Sequence, residues 1–121
     1  MKIKLSLLIN SINSLNELIK KDLPIKVAYA LSKNIKKIND EMRAFEDIKN
    51  KLFEKYGEDI EEKGKKFKRI KEENLKIYQE ELNKIIDDVC EIDIHKVKID
   101  QFEDVKIKPG DLIAISFMLE D

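Results

Sequence analysis

The stretch LSKNIKKINDEMRAF, residues 31–45, decides the architecture. Its apolar residues stand at Leu31, Ile35, Ile38, Met42 and Phe45. The steps between them run four, three, four, three, which is the seam of a helix made to lie against other helices. Upstream, "DLP" announces where this helix begins. Asp22 or Leu23 caps it, and Pro24 falls in the first turn, where its missing N–H costs nothing. No Gly or Pro follows until Gly57, which comes after Lys55 and Tyr56 as a C-terminal stop should. A helix so bounded has about 33 residues and spans roughly 50 Å. A globule of this chain length has a radius of gyration of only about 14 Å. The helix overshoots such a globule, so its seam needs cover from the chain's own helices, from a second copy or from a foreign protein.

The flanking sequence offers internal cover. Lys2 to Leu5 alternate in the manner of a short strand. Ser6 then caps a first helix that carries Leu8, Ile12, Leu15 and Ile19 at the same spacing and ends near Lys20 or Lys21. Beyond Gly57, residues 58–65 read as a charged turn around Gly64, and residues 66–70 as a short edge strand. A third helix begins near Lys71 and shows Leu75, Tyr78, Leu82, Ile85 and Val89 on one face. The first helix is expected to line one half of the long helix and the third, antiparallel, the other half. From Cys90 the period drops to two, with Ile92, Ile94, Val97 and Ile99 alternating against polar residues, which is strand grammar. Pro109 opens a last helix whose residues from Leu112 to Leu119 are almost all apolar, so it should be buried or lie in an interface. The fold class is therefore α+β, mainly α, in one domain over residues 1–121. It comprises a long central helix, two packing helices, a small sheet of short strands and a buried C-terminal helix.

Composition narrows the function. Charged residues make up 40% of the chain, yet 24 Lys and Arg oppose 25 Asp and Glu, leaving a net charge of −1. A near-zero sum argues against a dedicated nucleic-acid or membrane binder, which carries a large field of one sign. The chain has 42% hydrophobic residues, which is enough for a core and excludes disorder by composition. No apolar run reaches the roughly 18 residues of a membrane span. The N-terminal MKIKLSLLIN lacks a small-residue cleavage site, so no signal peptide is expected. A lone Cys90 cannot close an internal disulfide, and a reducing, cytoplasmic setting follows as the expectation.

Groups suited to catalysis are few. His95 and Cys90 each occur once and fall on opposite phases of one expected strand, so they do not pair as base and nucleophile. Cys90 reads as a small core residue, and His95 as a surface or hydrogen-bonded one. Asp87, Asp88, Glu91 and Asp93 cluster where the third helix gives way to strand. A hard cation such as Mg²⁺ is conceivable there, although a solvated helix end paired with lysines is the plainer reading. No catalytic residue, cofactor or metal site is assigned. The sharpest charge feature is KGKKFKRIK, residues 63–71, with Lys63, Lys65, Lys66, Lys68, Arg69 and Lys71 around Phe67. It is a candidate contact for a phosphate backbone, another anion or an acidic protein, but acids flank it on both sides. Leu31, Ile35, Ile38, Met42, Phe45, Phe117 and Met118 are the candidate surface for self-association or a partner.

The order of these pieces resembles a family of small phage and prophage proteins of low-GC Gram-positive bacteria. The residues that carry the likeness are KIKLSLLINSINSLNELI (2–19), LPIKVAYALSKNIKKIN (23–39), KYG (55–57), CEIDIHKVKI (90–99) and PGDLIAISFMLED (109–121). One position departs from the pattern: Lys108 stands where Ser or Thr would precede the proline of the last helix. The resemblance implies a viral origin and action in the cytoplasm of a bacterial host; it implies no catalytic residues. The expected function is non-catalytic protein binding by a phage accessory protein, for instance one that inhibits a host antiviral-defence protein. The chain is expected to form a homo-oligomer, with a dimer favoured. A virion-assembly or chaperone-like role is the alternative, and nucleic-acid or anionic-ligand binding through residues 63–71 is the less favoured one.

Overall fold

The computed structural model describes Met1–Asp121. Strand β1 (Lys2–Lys4) runs straight into helix α1 (Leu5–Leu18). Ser6 lies inside that helix and caps nothing; Lys4 is the N-terminal boundary residue, and the Leu5 N–H donates instead to the Asp88 carbonyl at 3.0 Å. The long helix α2 covers Ile25–Tyr56, 32 residues, within one residue of the length the sequence implies. Pro24 sits just outside it with extended ψ, and its carbonyl accepts the Ala28 N–H at 2.9 Å. Neither Asp22 nor Leu23 caps it through a side chain.

Gly57 ends α2, though in extended conformation (φ −88°, ψ 165°) rather than in the left-handed turn of a helix stop. A Cβ there would lie 2.4 Å from the Phe53 carbonyl oxygen, so glycine is required by close approach. The chain then forms an antiparallel hairpin of β2 (Gly57–Glu62) and β3 (Lys65–Ile70), where sequence alone predicts a charged turn and a single edge strand. Beyond it a 3₁₀ turn (Glu72–Asn74) leads into α3 (Leu75–Ile86). The hairpin is thus an excursion from the tip of a helical pair. Its ends are tied where the Lys71 N–H donates to the Tyr56 carbonyl at 3.1 Å.

Helix α3 returns antiparallel along the second half of α2: Tyr56 reaches Glu81 at 3.0 Å, while Phe45 lies beside Ile85. Helix α1 covers the first half. Leu8, Leu15 and Leu18 join Val27, Leu31, Ile38 and Phe45 in one core cluster. Strand β4 (Val89–Glu91) pairs antiparallel with β1, and β5 (Val97–Lys98) pairs parallel with β6 (Leu119–Glu120). The small sheet is therefore three separate two-stranded ones. The expected strand from Cys90 to Ile99 is interrupted between Glu91 and Val97.

The C-terminal apolar run divides into a short helix α4 (Pro109–Ala114), a 3₁₀ turn (Ser116–Met118) and β6. Ile115 and Met118 are fully buried, but no residue of α4 itself is, and Ile113 stands 74% exposed. The break has a cause in the topology. Leu119 must be extended to pair with Val97, which stops the helix and leaves only the three-residue step from Ile115 to Met118 facing the core. Helix α4 is held on α1 by Ser14, whose hydroxyl donates to Asp111 at 2.9 Å. No helix is long and apolar enough to cross a membrane.

Candidate interaction surfaces

The seam on α2 is intramolecular. Leu31, Ile38 and Phe45, spaced by seven, are buried, and Ile35 and Met42, between them, are half-buried against the same core. Met118 is fully buried as well, and Phe117 packs half-buried beside it. As a surface for a second copy or a partner, Leu31, Ile38 and Met118 are therefore withdrawn: α1 and the C-terminal segment occupy the space a partner would need. Ile35, Met42 and Phe117 stay half-buried, and Phe45 forms the floor of the groove described next.

That groove lies between α2, α3 and β4. It is lined by Leu5, Glu41, Ala44, Phe45, Ile48, Ile85, Asp88 and Cys90 and encloses about 140 Å³. Glu41, Ala44, Phe45 and Ile48 fall at i, i+3, i+4 and i+7, one face of α2 turned slightly off the seam. Ile48 is 43% exposed, so the lip carries an apolar side chain in contact with water. Two carboxylates, Glu41 and Asp88, stand among these side chains. Burial pushes the Cys90 thiol above its ordinary range, helped by the charges of Glu41 and Asp88 and by a hydrogen bond with Glu41. The stripe from Glu41 to Ile48 was readable in the sequence as a face of α2; that it stays open depends on where α3 ends, at Ile86.

The second surface is the β2–β3 arm, where the fold gathers the basic residues of 63–71. Residues 61–67 are exposed throughout, so the arm stands clear of the body. In its register Glu58 faces Arg69, Asp59 faces Lys68, Ile60 faces Phe67, Glu61 faces Lys66 and Glu62 faces Lys65. Every base of β3 thus meets an acid of β2. Two of these pairs close as ion pairs, Arg69 to Glu58 at 3.2 Å and Lys68 to Asp59 at 3.9 Å. Lys68 also donates to Glu54 at the end of α2 at 2.6 Å, a hydrogen bond that raises its pKa above the ordinary lysine value. Lys63 occupies the turn, and Lys71 lies at the base of the arm. A phosphate backbone would meet a neutralised ribbon here, not a basic stripe.

Three of the four acids after α3 are separately engaged. Asp88 accepts the Val89 N–H at 2.9 Å, Glu91 pairs with the Met1 ammonium at 3.2 Å, and Asp93 pairs with Lys37 at 3.3 Å. They do not converge on one point, and no group of three or more His, Cys, Asp or Glu side chains forms a metal cradle. His95 is half-buried, with its main chain bonded to Asn34 at 2.8 Å through both N–H and carbonyl. No protein-family model, curated protein or solved structure matches this chain.

Proposed function

We propose that the chain is a non-catalytic accessory protein that works by binding another protein, and that the groove between α2, α3 and β4 receives it. The observation that supports this is an apolar slot left open by otherwise close internal packing, with Ile48 at its lip and Glu41 and Asp88 among its walls. A hydrophobic side chain flanked by Lys or Arg is its chemical complement. The resemblance to phage and prophage proteins supports a host protein in the bacterial cytoplasm as the occupant, such as a component of antiviral defence. The chain does this as a homodimer.

The test compares wild type with Ile48→Glu, a change at an exposed position that leaves the core intact. Each is immobilised and exposed to lysate of uninfected bacteria, and captured proteins are then purified and titrated one at a time. A host protein that binds wild type and loses affinity about tenfold or more with Ile48→Glu, as removal of a central apolar contact does, supports the reading. Equal binding to both chains overturns the groove. Capture of virion proteins alone, from infected cells, replaces the reading with one of assembly. Binding of DNA or RNA that collapses with salt replaces it with a nucleic-acid role.

A further inference from the structure

The arm carries a charge pattern that selects its own partner. Side chains alternate across a strand, so the register places Glu58, Ile60 and Glu62 of β2 on the same face as Arg69, Phe67 and Lys65 of β3. At the centre of this face lie Ile60, half-buried, and Phe67, 44% exposed, with nothing of the fold's core packed on them. At the base of the arm the face continues onto Leu75, also 44% exposed and lining the same shallow recess as Glu58 and Arg69.

We propose that this face binds the same face of a second copy, about a two-fold axis that runs parallel to the strands. Such an axis lays β2 of one copy over β3 of the other at equal height. Glu58 then meets Arg69 of the second copy, Ile60 meets its Phe67, and Glu62 meets its Lys65. All positions are complementary at once, and each intramolecular pair becomes half of a four-charge network. The other symmetric arrangements are opposed by charge. An axis across the strands puts β2 over β2 and sets Glu58 against Glu62. Edge-to-edge pairing of two β2 strands aligns acids with acids, and of two β3 strands bases with bases. Pairing β3 with β2 of the next copy satisfies charge but never closes, and would build a fibre. The opposite face repeats the complementarity through Asp59, Glu61, Lys66 and Lys68, but it has no apolar centre and its Lys68 is tied to Glu54, so closure falls on the face of Ile60 and Phe67.

Six side chains and Leu75 on each copy make a contact smaller than the roughly 1,200 Å² of a standard stable interface. The dimer is accordingly concentration-dependent, with a dissociation constant on the order of 10–100 µM. It is independent of the groove, so Ile48→Glu leaves it unchanged.

The experiment exchanges one charge pair while keeping it matched within the arm: Glu58→Arg and Arg69→Glu in one chain. Sedimentation equilibrium should give the exchanged chain and wild type self-association within about threefold of each other. A mixture carrying donor and acceptor dyes should show cross-association weaker than either self-association, because the mixed pair sets like charges together at half of its flanking contacts in both face-to-face orientations. Cross-association as strong as self-association, a preference for the mixed dimer, open-ended polymers, or a strict monomer to about 1 mM, well above the range expected from the patch size, would each overturn the proposal. If the exchanged chain does not fold, Phe67→Asp at its exposed position decides. Loss of wild-type self-association supports the face, and unchanged association removes it.

Discussion

The side-chain amide of Asn34 brackets the main chain of His95. Its Oδ1 accepts the His95 N–H at 2.8 Å and its Nδ2 donates to the His95 carbonyl at 2.8 Å. Asn34 is a fully buried polar residue on the inner face of α2, and it stands in for the neighbouring strand that residues 92–96 lack. The bracket satisfies both main-chain polar groups of His95 in a segment that has no strand partner. Lys37, one turn further along, donates to the Asp93 carbonyl at 2.8 Å and fixes the same segment from outside.

Removing that bracket should be expensive. Asn34→Ala leaves two main-chain groups without partners in a buried site, and the expected loss is about 2–4 kcal/mol in urea unfolding. Asn34→Asp separates donor from acceptor. The variant carboxyl is buried, so its folded pKa lies above its unfolded value; protonated, it still donates to the His95 carbonyl. The variant's deficit relative to wild type should therefore be smallest below about pH 4 and grow as pH rises through the folded pKa. A deficit that does not change with pH would contradict a buried carboxyl.

The seam makes a prediction of phase. Leu31 and Ile38 are at 0% exposure, while Ile35 and Met42, on the alternate phase, are half-buried. Leu31→Ala and Ile38→Ala should each cost about 3 kcal/mol, and Ile35→Ala and Met42→Ala about half as much. Thermal or urea melts of the four variants check this. Equal losses at all four positions would mean the seam is covered evenly on both sides, contrary to the packing of α1 and the C-terminal segment.

The seam and its boundaries were legible because a helix advertises itself locally: period in the apolar residues, Pro24 before it, Gly57 after it. The antiparallel cover by α1 and α3 followed from their lengths. The arm was not legible by the same signal, since β2 holds one apolar residue, Ile60, and its pairing is carried by charge. Its trace in the sequence is a mirror, EDIEE against KKFKR around Lys63–Gly64, visible only when the two halves are read outward from the turn. The gap between β4 and β5 was hidden for a different reason. Alternation continues through Ile92 and Ile94, but the hydrogen bonds come from Asn34 on a helix sixty residues away. The groove was half legible: its stripe lies on α2, while its openness depends on tertiary packing.

The turn of the arm is strained at one residue only. Lys63 has φ 52° and Gly64 φ 74°, a two-residue loop with both residues in the left-handed region. Lys63→Asn should stabilise the arm by about 0.5 kcal/mol, because Asn tolerates that region better. Gly64→Ala should lose about 1 kcal/mol, all of it conformational, since a Cβ there meets nothing within 4 Å. Amide exchange within β2 and β3 is the readout, because the arm can open without global unfolding. Gly57→Ala contrasts with both: its Cβ collides with the Phe53 carbonyl, so the end of α2 must shift and the global melt should fall by about 1–3 kcal/mol.

Cys90 offers a chemical probe of the groove. Burial first, then Glu41 and Asp88, hold its thiol above the ordinary range, so less of it is thiolate at a given pH. Its reaction with Ellman's reagent at pH 8 should be slower in the folded chain than in urea, and the midpoint of its pH–rate profile should lie higher. Glu41→Gln removes a like charge, so the midpoint should move down and the rate at pH 8 rise. The linkage has a definite sign. Above the unfolded thiol pKa, the unfolded state ionises more readily than the folded one, so the group weakens folding slightly as pH rises into the alkaline range. An occupant seated in the groove should slow the reaction further, which gives a readout of binding that needs no label. A folded-state profile that overlays the unfolded one would show the thiol to be fully solvated, and with it the slot between Phe45, Ile48 and Ile85 to be filled with water rather than shaped for an apolar side chain.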